Sequence, residues 1–144
     1  MRLISFALAL FVLALPAGAQ KPTEAEQRPE SLLEELGLAP NPERLREAIA
    51  AAEAHPLGSR ENPVRVGGPR GERAYIARLR CADGSSPRVG QRANIGVGVF
   101  GTIVDLYPLD CGTAAPGQVS LVMDMYHSDH AENRAPPGFT LVEP

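Results

Sequence analysis

The chain has no tryptophan, four phenylalanines and three tyrosines. Aromatic rings are too sparse to interleave with basic side chains, which argues against a stacking platform for single-stranded nucleic acid. Lysine occurs once, as Lys21, so the basic side chains are almost all arginine. Cysteine is limited to Cys81 and Cys111. They lack the C-x-x-C spacing of a redox-active pair. No G-x-S-x-G is present, which removes the commonest serine-hydrolase signature. After Leu15 there is no long apolar run, so nothing beyond the N-terminus reads as a membrane span.

What is present begins with export. Met1-Arg2 supplies a positive charge and Leu3–Leu15 is apolar except for Ser5. Pro16 breaks the run, and Ala17 and Ala19 are small residues at the −3 and −1 positions of a cleavage site. This is the layout of a secretory signal peptide. The run falls short of the ~20 residues that cross a bilayer. The expectation is cleavage after Ala19, a periplasmic or secreted protein, and no transmembrane anchor after cleavage. In that compartment Cys81 and Cys111 are expected to form a disulfide.

The expected organisation is a signal peptide over 1–19, a disordered leader over 20–30, a helical segment over 31–57 and a β-rich, disulfide-clasped unit over 58–144. Ser31 with Glu34 suggests a capped short helix ended by Gly37. Asn41-Pro42 suggests a firmer helix start, and Leu45, Ala48, Ile49 and Ala52 follow at helical spacing. Asn62–Val66 reads as a short strand. Glu72–Cys81 reads as a strand with Tyr75, Ala77, Leu79 and Cys81 on one face and Arg78 and Arg80 on the other. Thr102–Cys111 alternates with apolar residues on both faces, as a central strand would, and Pro108 is expected at its end or at an edge. Gln118–Tyr126 is a further strand, close enough to pair with it as an antiparallel hairpin. Two strand ends joined by a disulfide must run parallel or meet at a corner between sheets, since the α-carbons have to come within about 7 Å. The fold class expected is α+β: a small, mainly antiparallel sheet with one or two N-terminal helices and one disulfide.

Charge is uneven: net −3 overall, with eight arginines between residues 60 and 92, and six acids against Arg134 alone between 105 and 143. Packing of the basic region against its acidic neighbours within one domain explains this better than an anion-binding face does. Asp105 stands on an apolar strand face, where a carboxylate is costly. Arg78 or Arg80 could pair with it, and these three residues are the candidate binding set. Gly96-x-Gly98-x-x-Gly101 spells the dinucleotide motif, but a β pattern follows Gly101 where a helix is required. A bent glycine-rich strand or loop is expected there instead.

The richest polar cluster is Asp124–Glu132. His127 and His130, with Asp124 and Asp129, are the candidate metal set, for a divalent ion such as zinc or copper. On a continued strand Asp124 and His127 would face opposite ways. A hydrolytic reading would draw on Ser120, Ser128 or Ser59 with His127, His130 or His55 as base. The segments Arg60–Val66, Tyr75–Cys81 and Met123–His127 resemble small exported bacterial proteins of unknown function, over about residues 58–142. That resemblance implies no activity and no site residues. The expectation is a non-enzymatic binding or envelope-associated module, without cofactor or nucleic acid, whose partner is another exported or envelope protein. The alternative is a metal-binding or hydrolytic protein built on the His/Asp cluster.

Overall fold

The computed structural model describes residues 29–143; the expected signal peptide and residues 20–28 of the expected leader lie outside them. The helices are α1 (Pro29–Glu35), α2 (Pro42–Ala52) and α3 (Gly68–Arg78). The strands are β1 (Val64–Arg65), β2 (Leu79–Arg80), β3 (Arg88–Val89), β4 (Ala93–Val97), β5 (Ile103–Asp110), β6 (Gln118–Asp124) and β7 (Thr140–Leu141). The fold is α+β, with a mainly antiparallel sheet and the Cys81–Cys111 disulfide.

The β5–β6 hairpin is the centre of the molecule. Its register runs from Val104 opposite Asp124 to Asp110 opposite Gln118. β3 and β4 both pair antiparallel with the other edge of β5, and β1 pairs parallel with β6. β5 is therefore paired on both sides, as its two apolar faces imply. β2 and β7 form a separate antiparallel pair. The C-terminal apolar tail thus becomes the partner of β2.

α2 starts where its capping signals place it. Asn41 Oδ1 accepts the backbone N–H groups of Glu43 and Arg44, and Pro42 occupies the first turn. α1 differs from expectation. It starts at Pro29, so Ser31 lies inside it rather than capping it, and the expected leader loses Pro29 and Glu30 to the helix.

The larger correction concerns Glu72–Cys81. Its first seven residues belong to α3, and only Leu79-Arg80 is strand. Glu72, Tyr75, Ile76 and Leu79 are all buried and fall at i, i+3, i+4 and i+7, one face of a helix. Ala77, assigned to the buried face of a strand, is exposed. The 58–144 unit is therefore less purely β than expected.

The disulfide joins a corner. Cys81 follows β2 in the small sheet and Cys111 follows β5 in the large one, with α-carbons 5.8 Å apart. Both cysteines are buried in a core shared with Val64, Tyr75, Leu79, Leu109 and Met123.

Pro108 is a second correction. It lies inside β5, opposite Ser120. Its carbonyl accepts the Gly90 N–H at 2.7 Å. In an antiparallel ladder a residue's N and C=O face the same neighbour, so the proline nitrogen also faces that side. The ladder opens there: β3 ends at Val89 and β4 resumes at Ala93. Proline is tolerated because residues 90–92 leave the sheet and ask for no N–H from it.

The glycine-rich run is a hairpin turn between β4 and β5. Gly96 and Gly101 adopt φ of +88° and +83°. Gly101 N–H donates to the Gly98 carbonyl, and the chain re-enters the sheet at Ile103.

Candidate ligand-binding cleft

A cleft of about 460 Å³ lies between the two N-terminal helices and the loop that follows β6. One wall is Leu33 from α1 and Pro42 and Leu45 from α2, with Ala39 and Pro40 from their junction. The other wall is Thr102 and the stretch Tyr126–His130. Glu30, Glu34 and Asp129 add carboxylates to the lining.

The loop wall is fixed by backbone ties to the segment between β1 and α3. Val66 N–H donates to the Asp124 carbonyl at 2.9 Å, and His127 N–H donates to the Val66 carbonyl at 3.1 Å. Gly68 N–H donates to the Met125 carbonyl at 2.7 Å. Gly67 faces this loop so closely that a β-carbon there would stand 3.0 Å from Ser128 Cα. After Asp124 the strand ends and the chain turns, closed by His130 N–H donating to the His127 carbonyl at 3.0 Å. The extended geometry that would have separated Asp124 from His127 is lost.

Asp124 is wholly buried behind the cleft. Its Oδ2 accepts the Thr102 hydroxyl at 2.5 Å, and its Oδ1 accepts the Tyr126 N–H at 3.0 Å. His127 Nε2 lies 3.5 Å from Asp124 Oδ2 but makes no hydrogen bond, although the side chain is only 7% exposed. Phe100 packs edge-to-face on the imidazole with ring centres 5.4 Å apart. Arg65 sits over the other ring, its guanidinium carbon 5.9 Å from the Phe100 centroid.

His130 stands at the outer end, 3.4 Å from Glu132 Oε2. Burial lowers its pKa below the ordinary value of 6.5, and the positive charge of Arg65 acts in the same direction, against the opposing pull of Glu132. Glu132 is buried, which by itself raises a carboxyl pKa. That effect is outweighed by hydrogen bonds from the Arg134 side chain and backbone, which bring Glu132 down to about 2. Arg134 also pairs with Glu53 at the end of α2, at 2.5 Å, so the loop beyond the cleft is clamped to that helix. From the other side of the cleft, Glu30 Oε1 accepts the Ser128 N–H at 2.6 Å and holds α1 over it.

The candidate metal residues divide. His127, Asp129 and His130 line the cleft, while Asp124 is behind it, committed to Thr102 and Tyr126. Among the described residues no group of three or more His, Cys, Asp or Glu is arranged to hold a metal ion.

The candidate binding residues lie elsewhere. Arg78 Nε donates to the Val142 carbonyl at 2.8 Å and its terminal nitrogens reach Asn133 Oδ1 at 3.3 Å. Arg80 Nη1 donates to the carbonyls of Ala77 and Leu79, at 2.8 and 2.7 Å. Both arginines tie down backbone. Neither pairs with Asp105, because the helical course of α3 carries them away from it.

Asp105 belongs instead to a buried network that sequence reading missed. Arg92, from the segment that leaves the ladder opposite Pro108, lies 3.3 Å from Asp105 Oδ2 and 3.5 Å from Glu72 Oε2. Tyr107 donates its hydroxyl to Glu72 Oε2 at 2.9 Å, while Glu72 Oε1 has no partner. Desolvation raises the Glu72 pKa, partly opposed by the Tyr107 hydrogen bond, and the negative charge of Asp105 raises it further. Burial and the Glu72 contact push Tyr107 up to about 12. The available signal for Glu72 was its place at i−3 from Tyr75. No protein-family model, characterised protein or solved structure matches this chain.

Proposed function

We propose that this protein is a small exported binding module without catalytic activity, and that its ligand or the side chain of its partner enters the cleft between α1, α2 and the Tyr126–His130 loop. The reading of export rests on the signal-peptide pattern of residues 1–19, with which a disulfide is compatible. The observation that carries the binding reading is the lining of the cleft. Apolar side chains from two helices face a rigid polar loop across a space of about 460 Å³. Apolar walls with a few fixed polar groups are the usual composition of a ligand site. The loop is pre-formed, because hydrogen bonds to Val66 and Gly68 and the Glu132–Arg134–Glu53 clamp already hold it. Ordering costs on binding are correspondingly small.

The test is a binding screen on the purified protein with blocked dipeptides, small amines, small acids and sugars, read by amide and imidazole NMR signals. Binders should shift Thr102, His127, Ser128 and His130 and leave the Arg88–Asp110 end of β5 unchanged. Leu45→Trp, which fills the cleft from a half-buried position, should abolish those shifts without lowering the melting temperature. Shifts that map elsewhere, or that survive Leu45→Trp, would overturn the assignment of the site. Turnover of any probe would overturn the non-catalytic reading.

A further inference from the structure

We infer that residues 90–92 form a pH-sensitive strap over the Glu72–Asp105 pair, closed by Arg92 while Glu72 is neutral and released when Glu72 ionises. Release uncovers two carboxylates at an edge of the sheet that otherwise presents Arg92. None of these residues lines the cleft, and the strap does not depend on what the cleft binds.

The strap is held at few points. Gly90, Gln91 and Arg92 are all exposed and lie between the end of β3 and the start of β4. Gly90 N–H donates to the Pro108 carbonyl at 2.7 Å, but Pro108 has no N–H to return. At the other end Arg92 Nη1 lies 3.3 Å from Asp105 Oδ2 and 3.5 Å from Glu72 Oε2. A segment held by one backbone hydrogen bond and one side chain can lift while the β5–β6 ladder stays intact.

The charge count beneath it is unequal. Glu72 and Asp105 are both buried, and among the described residues Arg92 is the one basic side chain within ion-pair distance of either. From β5, Glu72 faces the Asp105 carboxylate and the Tyr107 hydroxyl. From the loop after β6, Tyr126 faces the same two carboxylates, whose charges add to burial in raising its pKa. With Glu72 neutral, Arg92 and Asp105 balance. With Glu72 ionised, one buried negative charge is uncompensated, and Glu72 Oε1, which has no partner, lacks a donor. Lifting the strap lets water supply that donor.

The sign follows from the closed form. Desolvation holds the Glu72 pKa above its ordinary 4.5, against the Tyr107 hydrogen bond and with the help of the Asp105 charge. In the open form the carboxyl is hydrated and its pKa returns toward 4.5. Closure is therefore strongest below about pH 4.5 and weakens as pH rises through the closed-form value.

The test uses the purified protein. The side-chain carboxyl carbon of Glu72, followed by NMR, locates its titration. Hydrogen exchange of the Gly90 amide and of the β5–β6 hairpin amides is then measured on both sides of that titration, corrected for the intrinsic pH dependence of exchange. Gly90 protection should lie below that of the hairpin and fall roughly tenfold as Glu72 ionises. Glu72→Gln, which keeps an acceptor for Tyr107 and carries no charge, should hold Gly90 at its low-pH protection throughout. Arg92→Gln should lower Gly90 protection on both sides of the titration. Gly90 protection equal to that of the hairpin would mean that the strap opens only with the whole molecule, and would overturn the inference. So would Gly90 protection that is constant or rises as Glu72 ionises, or a fall that persists in Glu72→Gln. If Arg92→Gln does not fold, the comparison of the native protein with Glu72→Gln decides alone.

Discussion

At the scale of single residues, Glu72 has the most demanding position. It is fully buried, with one oxygen accepting from Tyr107 and facing Arg92, and the other oxygen unpartnered. A carboxylate in that setting pays desolvation that Arg92, about half exposed, only partly offsets. Glu72 has a folded-state pKa above its ordinary 4.5, so its neutral form is favoured on folding. The cost of ionising it is absent below about pH 4.5 and grows as pH rises through the folded value. Glu72→Gln keeps an acceptor for Tyr107 and removes the charge. Its stability relative to the native protein should therefore be nearly unchanged near pH 4 and should improve as pH rises above 4.5, until Glu72 is ionised in the folded state. Urea denaturation at several pH values measures this; a gap that stays flat or closes with rising pH would contradict it. Asp105 was legible from sequence as a costly acid on an apolar strand. Its partner was not, because Arg92 comes from a break in the sheet that only the pairing around Pro108 creates.

At the scale of elements, what was legible follows how local the deciding physics is. α2 is specified by neighbours in sequence: Asn41 caps it and Pro42 starts it. Asn41→Ala should cost about 1 kcal/mol through loss of the two cap hydrogen bonds, and Asn41→Ser should restore most of it. Chemical denaturation of both variants checks this, and equal stability of Ala and Ser there would contradict it. α3 is decided by distant contacts. Tyr75, Ala77, Leu79 and Cys81 satisfy a strand period, while Glu72, Tyr75, Ile76 and Leu79 satisfy a helical one. The helical set includes a glutamate on its buried face, which disguises it. Only Tyr107 and Arg92, from other elements, make that burial tolerable. The cleft was legible on its loop side, where His127, Asp129 and His130 stand in one stretch. Its helical side was hidden, because Glu30 reaches Ser128 across 98 residues of sequence.

At the scale of the whole molecule, the disulfide joins the small sheet to the large one across 30 residues of sequence. In the chain-entropy description, closing such a loop stabilises the fold by roughly 3–4 kcal/mol. The double variant Cys81→Ser, Cys111→Ser should therefore lower the melting temperature by roughly 10 °C or more. Calorimetry of the two proteins decides it, and a shift of only a degree or two would mean that packing of the corner already does the work. The parallel pairing of β1 with β6 has a different consequence, in time rather than in energy. The β5–β6 hairpin closes locally, whereas the Val64–Met123 pairing must bring together residues 59 apart. Loop closure of that length makes β1 docking a late event. The loop bearing His127 takes its shape from the segment that follows β1, through Val66 and Gly68. A newly made chain would thus have its central hairpin before the Tyr126–His130 loop is shaped, so that the cleft forms only in the last step of folding.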